Sequence, residues 1–386
     1  MTTELTARVD PDTARIIQNR LEAIAAAMGH PLVQRSPSSS IGKSGDFVAA
    51  ICDERALQLC ECKPGTPRQP GPAPGYVGGI MRTLMQRGDG PVPGDVIIHN
   101  DPYAGASRRA DIGVCAPVFF HDELVGFAVT TAHHRDPGAG KSGGVESVDV
   151  CADALRFQAV KCYVAGERNE PVWQSIRDNT PVPDQTIGDL EAQVAASHIG
   201  AARYCELLGE FGRETIAAAT EDRLDESERI MRARIAALPD GRYTATGYLD
   251  DDPDVADPAL KKIPIVTTVT VVGDELTVDF TGSSPQLDDR PINMPFIGMV
   301  DAAVWPTLCS LLLDPVRYGN IPRNAGLCRP VRITAPRGSI ANPIAPAPCS
   351  ARFTPGNVVA DTLRRALAPA VSRKATMAWS SMRPVA

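Results

Sequence analysis

Two short stretches of this sequence concentrate residues able to do acid–base or metal chemistry. The first runs Gly94-Asp95-Val96-Ile97-Ile98-His99-Asn100-Asp101-Pro102-Tyr103 and on to Asp111; the second is Ala132-His133-His134-Arg135-Asp136. A carboxylate brought against an imidazole can ligate a divalent cation or work as an acid/base pair. The same pair also serves structure alone, when a histidine hydrogen-bonds to an aspartate. Which chemistry is open depends on the elements that hold these groups.

Residues 112–120 and 124–131 read as two apolar strands joined through His121-Asp122-Glu123, a hairpin pattern. Asp111 begins the first strand and His133 ends the second, so an antiparallel pairing sets them at the same end. Asp46 stands just before Phe47-Val48-Ala49-Ala50-Ile51-Cys52, a buried strand, and so occupies a strand mouth. Its plainer role there is a turn or capping aspartate. Asn100-Asp101-Pro102-Tyr103-Ala104-Gly105 closes the strand at 95–99 in a proline-enforced turn. The run Gly138-Ala139-Gly140-Lys141-Ser142 lacks the full phosphate-loop spacing, which excludes nucleotide binding there.

The rest of the chain supplies the frame. Asp10-Pro11 opens a helix with Ile17, Leu21, Ile24 and Met28 at helical intervals, and Gly29 is expected to close it. Residues 63–75 are rich in proline and glycine and read as a long loop; a short helix over 80–86 follows. Residues 189–238 are the most helical part. Alternation then replaces the helical period, predicting three antiparallel strands within 241–281. Apolar helices are expected over 299–313 and 357–367. The Asp250-Asp251-Asp252-Pro253-Asp254 run lacks the glycine and distal glutamate of a calcium loop and reads as solvated. The whole is an α+β chain with mixed and antiparallel sheets, flanking helices and several subdomains. Residues 1–185 form an N-terminal α/β region with the site, 186–240 a helical segment, and 241–386 a β-rich region with terminal helices.

Composition narrows the function classes. The net charge of -7 comes from interspersed acids and bases and leaves no electrostatic footprint for nucleic acid. No run approaches the roughly 18 uninterrupted apolar residues of a membrane helix, and the first residues lack a signal-peptide pattern. Ten cysteines then read as small buried thiols in a reducing, cytoplasmic compartment. Cys60-Glu61-Cys62 lacks the spacing of zinc or redox pairs.

Several segments together resemble the hydantoinase B/5-oxoprolinase family. They are Gly94 through Gly105, Ala132-His133-His134-Arg135-Asp136, Ala165-Gly166-Glu167-Arg168-Asn169-Glu170 and Gly188-Asp189-Leu190-Glu191-Ala192-Gln193. Asp279-Phe280-Thr281-Gly282-Ser283-Ser284-Pro285-Gln286 and Asn342-Pro343 with Pro346-Ala347-Pro348 continue the likeness in the same order. That family includes B-type subunits of ATP-dependent hydantoin and lactam hydrolases and is related to the large subunit of acetone carboxylases.

The resemblance implies a hetero-oligomer in which an A-type partner binds ATP and this chain acts on an activated cyclic amide, such as a hydantoin, lactam or oxoproline. A ketone-carboxylase subunit is the alternative. It also implies a divalent metal, zinc or manganese, on Asp46, Asp111 and His133, with His134 or Asp136 moving protons. One position departs from the pattern: Arg108, in Ser107-Arg108-Arg109-Ala110-Asp111, stands where the family has a further histidine. A guanidinium cannot ligate, yet it supplies positive charge beside carboxylates and can bind a substrate carboxylate or phosphate. A non-catalytic subunit with a salt-bridged former site is therefore a further alternative. Asp149 and Asp153 stand where the family carries glutamates, and the chain ends short of the family's glycine-rich C-terminal region.

Overall fold

The structure is a computed structural model that describes residues 9–62, 73–134, 155–249, 262–288, 290–313, 324–349 and 353–371. Asp136, Asp149, Asp153, the Gly138–Ser142 run and the Asp250–Asp254 run lie outside the described residues.

The architecture is α+β, built on two sheets. The first has seven strands: β1 (Phe47–Asp53), β2 (Gln58–Glu61), β3 (Val96–His99), β4 (Asp111–Phe120), β5 (Glu123–His133), β6 (Val160–Val164) and β7 (Glu167–Arg168). Their order is β2-β1-β5-β4-β3-β6-β7, and every adjacent pair is antiparallel. Both faces are covered, which is why β1 reads as an uninterrupted apolar run and is buried throughout. Helices α1 (Pro11–Arg35) and α5 (Pro183–Phe211) lie on one face, where Phe47, Ala49, Ile51, Ala128 and Ala132 pack. Helix α3 (Ala73–Gln86) lies on the other, against Val48, Ala50, Cys115, Phe127 and Val129. A four-residue helix, α2 (Ser39–Gly42), leads into β1.

The expected helix boundaries move wherever a glycine is used for contact rather than for a stop. Asp10 caps α1 through the amides of Asp12 and Thr13, but the helix runs past Gly29 and Pro31 to Arg35. Met28 and Leu32 are fully buried on either side of Gly29, which lies against the Phe47 ring, so tertiary packing overrides the local stop signal. Helix α3 likewise starts at Ala73 instead of residue 80. A Cβ on Gly79 would sit 1.5 Å from the Ala104 carbonyl oxygen, so this glycine permits close approach of two backbones.

A short helix α4 (Glu170–Asp178) and the long α5 precede α6 (Arg213–Ile235), and the chain breaks between α5 and α6 at Gly212, whose φ is 80°. The second sheet contains β8 (Gly241–Leu249), β9 (Ile263–Val272), β10 (Glu275–Asp279) and β11 (Val331–Thr334) in the order β11-β10-β9-β8. The expected antiparallel strands gain β11, which pairs parallel with β10 and makes this sheet mixed. Helices α7 (Asp301–Leu312), with Pro306 inside it, and α8 (Phe353–Leu367) enclose the core that includes Ile265, Val269, Val278, Leu308 and Leu363. A π-turn at Phe296–Val300 enters α7.

Candidate functional site

Asp46, His133 and Asp111 form one row across the end of the first sheet. Asp111 is the register partner of His133, and the His133 amide donates to the Asp46 carbonyl at 3.0 Å. Because side chains alternate along a strand, Asp111 shares a face with Cys115, His133 with Val129, and Asp46 with Val48. All three belong to the α3 face. The sequence expectation that they converge at one sheet end is met in the backbone, and for Asp111 and His133 in the side chains, with Asp111 Oδ1 3.0 Å from His133 Nδ1.

The Asp111 carboxylate is fully buried and has a donor on each oxygen. Ser107 Oγ donates to Oδ2 at 2.6 Å, and Arg108 Nε lies 3.4 Å from Oδ1. Arg108 Nη2 is 2.9 Å from His133 Nδ1 and 3.3 Å from Nε2. Nδ1 thus faces a carboxylate acceptor and a guanidinium donor at nearly equal distance, so the ring stands between the two charges and its tautomer follows whichever contact prevails. The Arg108 side chain is only 16% exposed and that of His133 25%, so both are mostly covered while keeping an edge to solvent.

The backbone of residues 108–110 is fastened from several directions. The Asp111 amide donates to the Arg108 carbonyl (3.1 Å), Asn100 Nδ2 to the Arg109 carbonyl (2.7 Å) and the His134 amide to the Ala110 carbonyl (2.9 Å). Asn100 also donates to Leu155 O at 2.8 Å and accepts from the Phe157 amide at 2.6 Å. Its neighbours are similarly committed. Burial pushes His99 down to about 4, and its ring bridges the Ala159 amide and the Ala104 carbonyl. Burial works to raise Asp101, but hydrogen bonds from Arg156 and Gln158 prevail and hold it below its ordinary value. The Tyr103 hydroxyl donates to the Ala347 carbonyl, far along the chain. The Asn-Asp-Pro-Tyr turn is thus scaffold for the site.

His134 takes no part in the cluster around His133. It points to the α5 face, where its Nε2 is 2.7 Å from Gln193 Oε1. Gln193 gives its amide hydrogens to Ile112 O and Thr130 Oγ1, so its oxygen accepts and His134 Nε2 donates. Burial moves the His134 pKa below its ordinary value. The structure does not bring His134 to the cluster where it was expected to move protons: it faces the opposite side of the sheet from His133, because consecutive residues alternate. Sequence reasoning also missed Ser107, whose hydroxyl type and place four residues before Asp111 were the available signal.

The implied divalent cation does not fit these residues as placed. Asp111 has donors on both oxygens, and the His133 lone pair faces a guanidinium that stays protonated. Among the described residues, no group of three or more His, Cys, Asp or Glu side chains is set to hold a metal ion.

Comparison with known proteins places these features in context. Residues 10–385 match the family model described as hydantoinase B/oxoprolinase. The chain is 49% identical over 98% of its length to the putative B-type subunit of a D-/L-hydantoinase from Pseudomonas sp. strain NS671, covering 64% of that protein. It is 29% identical to the β chain of the caprolactamase of Pseudomonas jessenii over 96% of its length and 62% of the relative's. The chain therefore spans about three fifths of the length of these relatives. The crystal structure of the Pseudomonas jessenii ATP-dependent caprolactamase superposes with a TM-score of 0.83 at 30% identity, covering 94% of this chain and 61% of that one. Nucleotide-free acetone carboxylase, at 18% identity and a TM-score of 0.82 over 94% of this chain and 48% of that one, shares the fold.

Proposed function

Because this chain belongs to the hydantoinase B/oxoprolinase family, we propose that it is the B-type component of an ATP-dependent cyclic-amide hydrolase, assembled with an A-type ATP-binding partner. The observation that carries this reading is the 49% identity to a putative B-type hydantoinase component along nearly the whole chain. The names of the relatives, a D-/L-hydantoinase, a caprolactamase and several 5-oxoprolinases, support a ring amide as substrate. In this reading the partner binds ATP and activates the ring, and this chain completes ring opening. No helix among the described residues is long and apolar enough to cross a membrane. Most of the described cysteines are buried as small apolar side chains, which supports a cytoplasmic complex.

The residues suited to the chemistry are those at the end of the first sheet. Asp111 holds the His133 ring through Nδ1, and the Arg108 guanidinium sets a positive charge beside both. A second reading rests on the same contact: with Arg108 closed over Asp111 and His133, the centre is a salt-bridged core and this chain supports catalysis by its partner.

Co-expression with an A-type partner, followed by ATP-dependent ring opening of hydantoin, 5-oxoproline or caprolactam read by chromatography, tests both. A His133→Ala complex that assembles yet turns over at least about a hundredfold more slowly supports a catalytic centre. An unchanged rate favours the supporting role. Failure of every ring substrate, with partner and ATP present, overturns the hydrolase reading.

A further inference from the structure

We propose that Arg108 is a built-in cation: its guanidinium takes the charge position between Asp111 and His133 that a divalent ion would otherwise hold, so this centre is complete without metal. The inference rests on the family reading only for the expectation of a metal; the geometry argues the rest.

A divalent cation needs lone pairs free to approach within about 2.0–2.6 Å. At Asp111, Oδ2 accepts from the Ser107 hydroxyl at 2.6 Å, and Oδ1 faces His133 Nδ1 at 3.0 Å and Arg108 Nε at 3.4 Å, so the guanidinium stands on the approach to the carboxylate. At His133, Arg108 Nη2 lies 2.9 Å from Nδ1 and 3.3 Å from Nε2, so the guanidinium stands against whichever ring nitrogen carries the lone pair. A metal would have to displace the guanidinium from both sites. Arginine cannot escape by losing its proton, as a histidine or lysine would. A second positive charge a few ångströms away then opposes entry electrostatically.

The guanidinium is also held by its own backbone. The carbonyls of Arg108, Arg109 and Ala110 are each fastened to a donor, one from β4, one from the turn after β3 and one from the end of β5. The root of the Arg108 side chain is therefore fixed. The cation it carries is needed where it stands, because Asp111 is wholly buried and an uncompensated carboxylate there is costly.

The test is zinc binding to the purified chain, by calorimetry and by metal analysis after dialysis, for wild type and Arg108→His. Wild type is expected to retain substoichiometric zinc. Arg108→His is expected to take up one equivalent at least about tenfold more tightly than wild type, and to lose that gain when Asp111→Asn is added. Stoichiometric zinc on wild type, or a folded Arg108→His that gains none, overturns the proposal. Circular dichroism reports folding. If Arg108→His does not fold, His133 imidazole resonances of the wild type provide the reading: no shift on adding zinc supports the proposal, and a shift lost in Asp111→Asn overturns it. Neither readout depends on ring hydrolysis, so a metal-free centre and a failed hydrolase assignment remain distinguishable.

Discussion

Asn100 Oδ1 accepts the Phe157 amide at 2.6 Å while Asn100 Nδ2 donates to the Arg109 carbonyl at 2.7 Å, so one buried side chain joins the turn after β3, the loop under Arg108 and the segment leading into β6. Asn100→Ala removes these bonds and leaves buried backbone groups unpaired, at a cost of about 2–4 kcal/mol. Asn100→Asp costs at least as much, since a carboxylate cannot donate to Arg109 and Leu155. Urea denaturation of both variants measures this. A loss below about 0.5 kcal/mol for either would contradict the clamp.

The turn after β3 is tied to the segment before α8 through Tyr103, whose hydroxyl bonds to the Ala347 carbonyl and lies 3.4 Å from Cys349 Sγ. Tyr103→Phe keeps the ring and removes the link. It should lower stability by about 1–2 kcal/mol and speed amide exchange around residues 345–349. Exchange confined to the 100–106 turn instead would show that the hydroxyl does not join the two segments.

Adjacent glycines of α3 should behave in opposite ways. A Cβ at Gly79 would overlap the Ala104 carbonyl oxygen, whereas at Gly78 its nearest neighbour is the flexible end of Arg82 at 3.2 Å. Gly79→Ala should therefore destabilise by about 3 kcal/mol or more. Gly78→Ala should be neutral or stabilise by up to about 1 kcal/mol through helix propensity. Thermal melts of the pair decide the matter.

Asp301 gives a pH signature. Its Oδ1 accepts from the Gly298 and Ala302 amides, each at 2.7 Å, but desolvation of the carboxylate outweighs these bonds and pushes its pKa up to about 6. A carboxyl raised on folding contributes fully below its unfolded value, and the contribution is lost as pH rises through about 6. Asp301→Asn keeps the accepting oxygen and cannot ionise. Relative to wild type, its Tm should rise between pH 4 and pH 8 by about 2–4 °C. A constant difference across that range would refute the assignment.

Much of the site's position was legible in the sequence because it follows from period-two arithmetic. Once 112–120 and 124–131 are a hairpin, Asp111 must face His133, and the register pairs them. The same arithmetic, carried one residue further, would have sent His134 to the opposite face. Its companion Gln193 could not be foreseen, since that contact depends on where α5 lies on the sheet. The helix boundaries at Gly29 and Gly79 were missed for a related reason. A glycine set against the Phe47 ring at Gly29, or against the Ala104 carbonyl at Gly79, looks, in one dimension, like a glycine chosen to stop a helix. Strand β11 was hidden by distance, since nothing local in residues 331–334 announces a partner at 276–279.

That parallel pairing bears on how the molecule forms. The β4–β5 hairpin closes across a two-residue turn and can assemble as soon as both strands exist. Val278 must wait for Ile333, with the π-turn and α7 between them, before the second sheet acquires its outer strand. Loop-closure entropy makes such a non-local contact late. The end of the first sheet that carries Asp111 and His133 is therefore expected to mature early, and the outer edge of the second sheet to be the kinetically exposed part of the chain during refolding.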